Sequence, residues 1–261
     1  MKARIFAAPV LSLRFVHVWR RNLLVWRKLA IPSMLGNLAD PMIMLFGLGY
    51  GLGAMMPAMG GLPYVSFLAG GMVVSSTMYA ATFESMYSAF SRMHQQKTWE
   101  GIMNAPILLE DVLMGELVWA MTKSSLSGIS ILVVVIALGV ASPRLALGVL
   151  PVIVLTGFAF AAVGLAMNAL APNYDFFMYY FTLVITPMSL LCGVFFPVEQ
   201  MPVALQAIAV VLPLYHAVAL ARPLMLGEMP GDILLHLVVP ILYAVAGFYL
   251  ALVLTRRRLL K

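Results

Sequence analysis

Six stretches of this chain run for about 20 residues or more with almost no charge, the length a helix needs to cross a bilayer's hydrocarbon core. They are Leu38–Met56, Tyr64–Phe90, Val112–Val140, Leu145–Leu170, Phe176–Phe196 and Ile233–Leu254. A segment in lipid has no water to satisfy its backbone, so each run predicts a helix that closes its own hydrogen bonds. With 63% of 261 residues hydrophobic, 10% charged and a mean hydropathy of +1.00, the chain reads as an all-α polytopic membrane protein.

The six-span reading depends on Pro197 to Gly231. Only about ten residues separate Pro202 from Pro213, half of what a crossing needs. The expectation is two short re-entrant helices, Pro202–Leu212 and Leu214–Leu226, within an outer region 197–231. Charge agrees. With six spans, Lys2, Arg4, Arg14, Arg20, Arg21, Arg27, Lys28, Arg92, Lys97, Arg256, Arg257, Arg258 and Lys261 share one side, and Arg144 and Arg222 the other. The positive-inside rule then puts both termini in the cytoplasm, and a seventh span would strand the C-terminal arginines outside. A net charge of +6 distributed this way is a topology signal, so no nucleic-acid partner is implied.

Residues 10–29 are apolar yet carry Arg14, Arg20, Arg21, Arg27 and Lys28. On a helical wheel these and His17 fall within roughly 140°, opposite Leu11, Phe15, Val18, Trp19, Val25, Trp26 and Leu29; Leu24 and Asn22 are the misfits. A basic amphipathic helix with two tryptophans suits the membrane interface, where it meets lipid. Its cations set topology, contact a partner or headgroup, or do both.

The longest polar break is Ser91–Asp111, placed by the charge count in the cytoplasm. Within it Lys97, Trp99, Glu100, Met103 and Asn104 fall on a short helix that Pro106 ends. Trp99 and Met103 form an i,i+4 apolar pair, and Lys97 and Glu100 offer polar contacts. Composition allows either a solvated turn or a docking surface. In the spans, Glu84, Glu116 and Lys123 are intramembrane polar candidates; charge at that depth is costly and marks function by default. Glu116 and Lys123, seven apart, share a helix face and form one polar seam. Asp40 and Glu116, near expected span ends, reach headgroups, whereas Glu84 and Lys123 line a cavity or join helices. Pro41 is expected in a first helical turn, where its missing N–H costs nothing, and the GLGYGLG run (Gly47–Gly53) permits close helix approach.

Catalytic patterns are missing. His17, His94, His216 and His236 are scattered, Cys192 is alone, and there is no HExxH, CxxC, GxSxG or phosphate-binding GxxxxGK[ST]. No metal site or bound cofactor is expected. An intramembrane enzyme or assembly scaffold stays open as another class, although facing catalytic residues are not evident.

Three stretches resemble the permease subunit of ABC-2 type exporters. They are Lys97–Trp119 (KTWEGIMNAPILLEDVLMGELVW), Cys192–Pro202 (CGVFFPVEQMP) with Leu212–Arg222 (LPLYHAVALAR), and Val18–Gly53. The last is similar to the NodJ-type subgroup, permeases of lipo-chitooligosaccharide export. The resemblance implies one ABC-2 transmembrane domain over 1–261 in the bacterial inner membrane. It also implies a homodimer served by two copies of a NodI-like ATPase, which alone would carry ATP and Mg. Residues 91–111 would be the cytoplasmic coupling loop. Phe195, Phe196, Tyr215 and His216 are gate candidates at the outer face. The implied cargo is an amphipathic lipid-linked saccharide. An ABC-2 permease for drugs, lipids or another lipid-linked glycan fits the same residues.

Overall fold

In the computed structural model of the chain, residues 5–10, 12–55, 59 and 61–259 are described. Lys2, Arg4 and Lys261 of the charge count, and most of the turn expected after Met56, lie outside them. The described residues fold as helices, with no β-strand among them. α1 is Phe15–Arg27, α2 Ala30–Leu52, α3 Tyr64–Gln95, α4 Thr98–Met103 and α5 Leu109–Ala137. They are followed by α6 Arg144–Leu170, α7 Asp175–Leu191, α8 Val203–Val211, α9 Pro213–Leu226 and α10 Ile233–Leu259.

Five of these, α2, α3, α5, α6 and α10, are long and apolar enough to cross a bilayer. α7 falls just short in length, yet with the residues flanking it on both sides it reaches from Phe90 to Tyr64 of α3. At its start Tyr174 packs edge-on against Phe90; midway Phe181 stacks near Tyr79, whose hydroxyl donates to Ser189 Oγ (3.2 Å). Past its end the Phe195 carbonyl accepts from the Tyr64 hydroxyl (3.1 Å). α7 therefore runs antiparallel to α3 from one end of the bundle to the other.

The end that holds residues 96–108 is called the loop end, and the opposite one the far end. α8 and α9 meet at 87°, which agrees with the two short helices read between Pro202 and Leu226. Arg222 donates to the Gly193 carbonyl and, over 3.1 Å, to that of Phe67, while its guanidinium lies 3.7 Å from the centre of the Phe67 ring. Ser142 N donates to the Met225 carbonyl (2.7 Å). Gly193, Phe67 and Ser142 all belong to the far end, so the pair enters and leaves there, the geometry of a re-entrant turn. A side chain on Gly70 would strike the Arg222 backbone (2.9 Å from its Cα), so the missing Cβ lets α9 lie against α3.

Several sequence expectations move. α2 begins at Ala30 rather than Leu38, so Pro41 sits in the helix interior, and Asp40 lies midway along the span rather than at a headgroup. The proline cannot donate to the preceding turn, and the helix beyond it, Leu45–Leu52, takes the wider π form. In GLGYGLG only Gly49 and Gly53 meet α3, at Val65 and Tyr64; Gly47 and Gly51 face open space. α3 continues to Gln95, which shortens the polar loop, and α10 reaches Leu259. α3 also carries π turns at Glu84–Ser88 and Ser91–Gln95. The Asn168 amide of α6 donates to the carbonyls of Ser85 (3.1 Å) and Met86 (3.3 Å), which satisfies acceptors the first π turn displaces.

α1 does more than lie on a membrane surface. Val18 is buried where Gly115 of α5 leaves room, the Trp19 indole donates to Thr122 Oγ1 (3.1 Å), and the Trp26 and Trp119 rings meet edge to face at 5.8 Å. Asn22, a misfit on the wheel, is buried at the middle of this face, while Val25 and Leu29 stay exposed. A Cβ on Gly115 would sit 2.5 Å from Val18 Cβ. Gly115→Leu should therefore cost about 1–3 kcal/mol by overpacking, seen as a lower unfolding midpoint in detergent. Gly101→Ala, on α4 with nothing within 4 Å, should leave the midpoint unchanged.

Candidate functional site

The sequence-predicted Glu84, Glu116 and Lys123 meet at the loop end of the bundle, with Arg92 joining them. Lys123 Nζ lies 2.7 Å from Glu84 Oε2, and Glu84 Oε1 lies 3.0 Å from Arg92 Nη2. Arg92 then grips both oxygens of Glu116, with Nη2 at 2.6 Å and Nε at 3.0 and 3.1 Å. The order is cation, anion, cation, anion. Two indoles complete it: Trp119 Nε1 donates to Glu84 (2.7 Å) and Trp99 Nε1 to Glu116 (3.1 Å).

The alternation makes burial possible. Moving one such ion into a protein interior costs several kcal/mol, recovered only with paired charges and filled hydrogen-bonding positions. The carboxylates are 3% and 1% exposed, and each has opposite charge and an indole N–H. Eight residues at regular helical spacing would leave Glu84 and Arg92 roughly 80° apart. The π turns between them hold extra residues and swing Arg92 back onto Glu84's face.

Glu116 thus reaches no headgroup: it is inside, because α3 runs past Phe90 and delivers Arg92 beside it. The polar seam of Glu116 and Lys123 does form, bridged by two residues of α3. The end of the apolar run at Phe90 assigns Arg92 to the loop. Its signal was the spacing from Glu84, legible only if the helix continued.

α4 is tied to this network. Lys97 takes a left-handed conformation (φ 50°), which turns the chain from α3 into α4 at a cost of roughly 1–2 kcal/mol for a residue with a Cβ. Trp99 does not project outward as a knob. It is 1% exposed and points into the bundle at Glu116. Lys97, Glu100 and Asn104 face out, and Met103 is half-buried. The outer face of α4 is therefore polar and its inner face is an indole on a buried carboxylate.

Neighbouring charges brace the same end. Asp111 accepts from Ser12 N (3.1 Å), Ser12 Oγ (2.9 Å) and Leu108 N (3.3 Å), which caps α5 and holds the segment before α1. Arg14 donates to the Pro106 carbonyl. Arg256 pairs with Glu110 and donates to the Ile5 and Ala7 carbonyls. Arg258 donates to the carbonyls of Asn168, Ala169 and Ala171 and so caps α6. Arg20, Arg27 and Lys28 are exposed along α1, while Arg21 is half-buried and turned inward.

Two further places hold polar groups. A cleft of about 240 Å³ opens between α2 and α3, and Asp40, Ser75, Ser76, Tyr79, Phe181 and Phe195 are among its lining residues. At the far end, His216 Nδ1 lies 2.8 Å from His236 Nδ1, and His216 Nε2 2.8 Å from the Val210 carbonyl. Of the four gate candidates, Tyr215 and His216 stay together, their rings meeting edge to face at 5.3 Å. Phe195 faces the cleft, Phe196 and Tyr215 pack on Val198, Met201 and Ala209, and His216 is buried as a pin between α9 and α10. Among the described residues no cluster of three or more His, Cys, Asp or Glu could hold a metal.

Residues 14–226 match the family described as ABC-2 type transporter. Nodulation protein J of Rhizobium leguminosarum bv. trifolii is 49% identical over 98% of this chain and 97% of that protein. Nodulation protein J of Rhizobium meliloti (strain 1021) is 48% identical over 99% of each chain. The protein of the same name from Bradyrhizobium diazoefficiens is 48% identical over 97% of each.

Truncating Glu84 leaves Arg92 and Lys123 facing each other without their shared anion. Glu84→Ala should lower stability by about 3–5 kcal/mol in detergent unfolding titrations. Combining Glu84→Gln with Lys123→Met should cost clearly less than the sum of the two single changes, and additive losses would dissolve the network as a unit.

Proposed function

The chain belongs to the ABC-2 type transporter family, as a multi-pass membrane transport subunit rather than an enzyme, and from that premise we propose that it exports an amphipathic lipo-oligosaccharide. In this reading the power comes from a separate NodI-like ATPase, one copy on each half of a permease homodimer, with ATP and Mg held by that partner. Support for the cargo comes from full-length similarity to proteins named Nodulation protein J in several rhizobia. Support for the dimer comes from α2, whose apolar flank (Ile31, Leu35, Ile43, Phe46) is uncovered by the other described residues and borders the cleft that holds Asp40. A second copy against this flank would close the cleft into a path between two permeases. The bacterial inner membrane is the setting, with the basic loop end and both termini in the cytoplasm.

The observation that carries the coupling is the Trp99 hydrogen bond to Glu116. An ATPase pressing on the exposed side of α4, at Lys97, Glu100 and Asn104, moves an indole seated on the charged chain. α4 is only six residues long and hangs between the left-handed Lys97 and Pro106, so it shifts as a rigid piece. Displacing Trp99 withdraws a donor from Glu116, and Arg92 and Glu84 repartition their contacts along α3 and α5. Push on one side of the loop thereby becomes relative movement of two spans. The aromatic and hydroxyl lining of the cleft suits a molecule that is part sugar and part acyl chain, with Phe195 near its far end.

Purified with its ATPase in lipid nanodiscs, the permease should show hydrolysis stimulated by a lipo-chitooligosaccharide; stimulation by unrelated drugs alone would instead select a drug exporter. Trp99→Phe keeps the ring but loses the N–H, a bond to a charged acceptor worth about 1.5–3 kcal/mol. Transport should fall about tenfold or more while the ATPase still copurifies. Glu100→Lys should instead weaken ATPase binding. Unchanged transport in both variants would remove the coupling role from α4. A C-terminal phosphatase fusion should be inactive, and an active one would reverse the orientation.

A further inference from the structure

Between α1, α3 and α5 lies a second cleft, of about 170 Å³, lined by Arg21, Asn22, Val25, Trp26, Glu84, Ser88, Arg92, Gln96, Trp119 and Lys123. Its charges do not balance. Glu84 and Glu116 are each engaged by Arg92, and Lys123 is spent on Glu84. Arg21 forms no ion pair among the described residues; it donates only to Asn22 Oδ1 (3.0 Å) and, over 3.5 Å, to Thr98 Oγ1. Counting the five charges that face one another here leaves one positive charge in surplus.

A second observation points the same way. Asn22 is 3% exposed, yet its Nδ2 has no hydrogen-bond partner. A buried amide donor left unmade costs about 1–3 kcal/mol, so it is tolerated where something else completes it. Asn22 is also the residue that broke the apolar face of α1. Arg21 and Asn22 are neighbours on α1, the first supplying charge and the second an open N–H, and the Ser88 hydroxyl and Gln96 amide line the same space. Burial and the neighbouring Arg92 pull the Arg21 pKa down, and Glu116 opposes them only in part.

We propose that this cleft binds a single phosphate-type oxyanion, held by Arg21 and Asn22 Nδ2, as the missing counter-ion of the buried charge chain. The space admits a phosphate with room for the group that carries it, and the Val25 and Trp26 side gives that group apolar footing. The phosphodiester headgroup of an anionic lipid and free inorganic phosphate share this chemistry. The assignment is independent of what the permease carries.

The test uses the full chain purified in a mild detergent and measures the thermal unfolding midpoint. Dioleoyl phosphatidylglycerol should raise the midpoint of the wild type and of Arg20→Gln, whose cation is exposed, whereas dioleoyl phosphatidylcholine should not. Arg21→Gln should abolish the shift. Asn22→Asp supplies an internal carboxylate, so it should unfold near the lipid-bound wild-type midpoint without lipid and gain nothing from it. Inorganic phosphate reproducing the shift assigns a soluble oxyanion; a shift from phosphatidylglycerol only assigns a lipid headgroup. An equal response to phosphatidylcholine, no response to either anion, or a wild-type response in Arg21→Gln or Asn22→Asp overturns the proposal.

Discussion

The structure depends on a row of alternating charges, Lys123, Glu84, Arg92 and Glu116, set inside a bundle that otherwise has little polarity. None of these ions could be buried alone. Glu84 and Arg92 come from α3, and Glu116 and Lys123 from α5, so forming the row fixes the register of the two spans against each other. The π turns in α3 serve this end, and the Asn168 amide holds the first of them open. α1 and α4 then dock by indole N–H groups onto the same carboxylates or the same helix. One electrostatic requirement therefore organises four helices.

The two ends of the bundle are built differently. At the loop end, charged side chains grip each other and the ends of helices, and one short helix is anchored by a single indole. At the far end, α8 and α9 are held by Arg222 on two carbonyls and an aromatic face, and by the His216–His236 contact. These partners are mostly backbone, which changes little under small displacements. An exporter with a firm outer cover and an adjustable inner loop would take force at one end and hold shape at the other.

Much of this was legible beforehand because hydrophobic run length is a strong signal. The spans, the amphipathic α1, the short helix near Lys97–Asn104 and the bent pair between Pro202 and Leu226 follow from apolar length, wheel geometry and proline spacing. What escaped was where side chains pointed. Trp99 reads only as half of an apolar pair with Met103, because i,i+4 spacing says which residues share a face but not which way that face turns. Glu116 reads as a headgroup ligand because the end of α3 was set where apolar residues stop, and a polar last turn carries Arg92 further. Asn22 looked like noise on the wheel; nothing in one sequence says that a polar residue at the centre of an apolar face is aimed at a cleft. His216 and Phe195 read as one outer gate, yet Phe195 precedes the bent pair and faces the cleft, while His216 lies near the start of the second helix, beyond the 87° bend.

Arg256 holds the carbonyls of Ile5 and Ala7 together with Glu110, and the Tyr249 hydroxyl donates to the Phe6 carbonyl. The segment before α1 is thus held by a helix about 250 residues further along the chain. During synthesis Ile5, Ala7 and Glu110 wait without their partner until α10 has inserted. Closure of the loop end then follows insertion of α10, so a chain without that helix has no finished loop end.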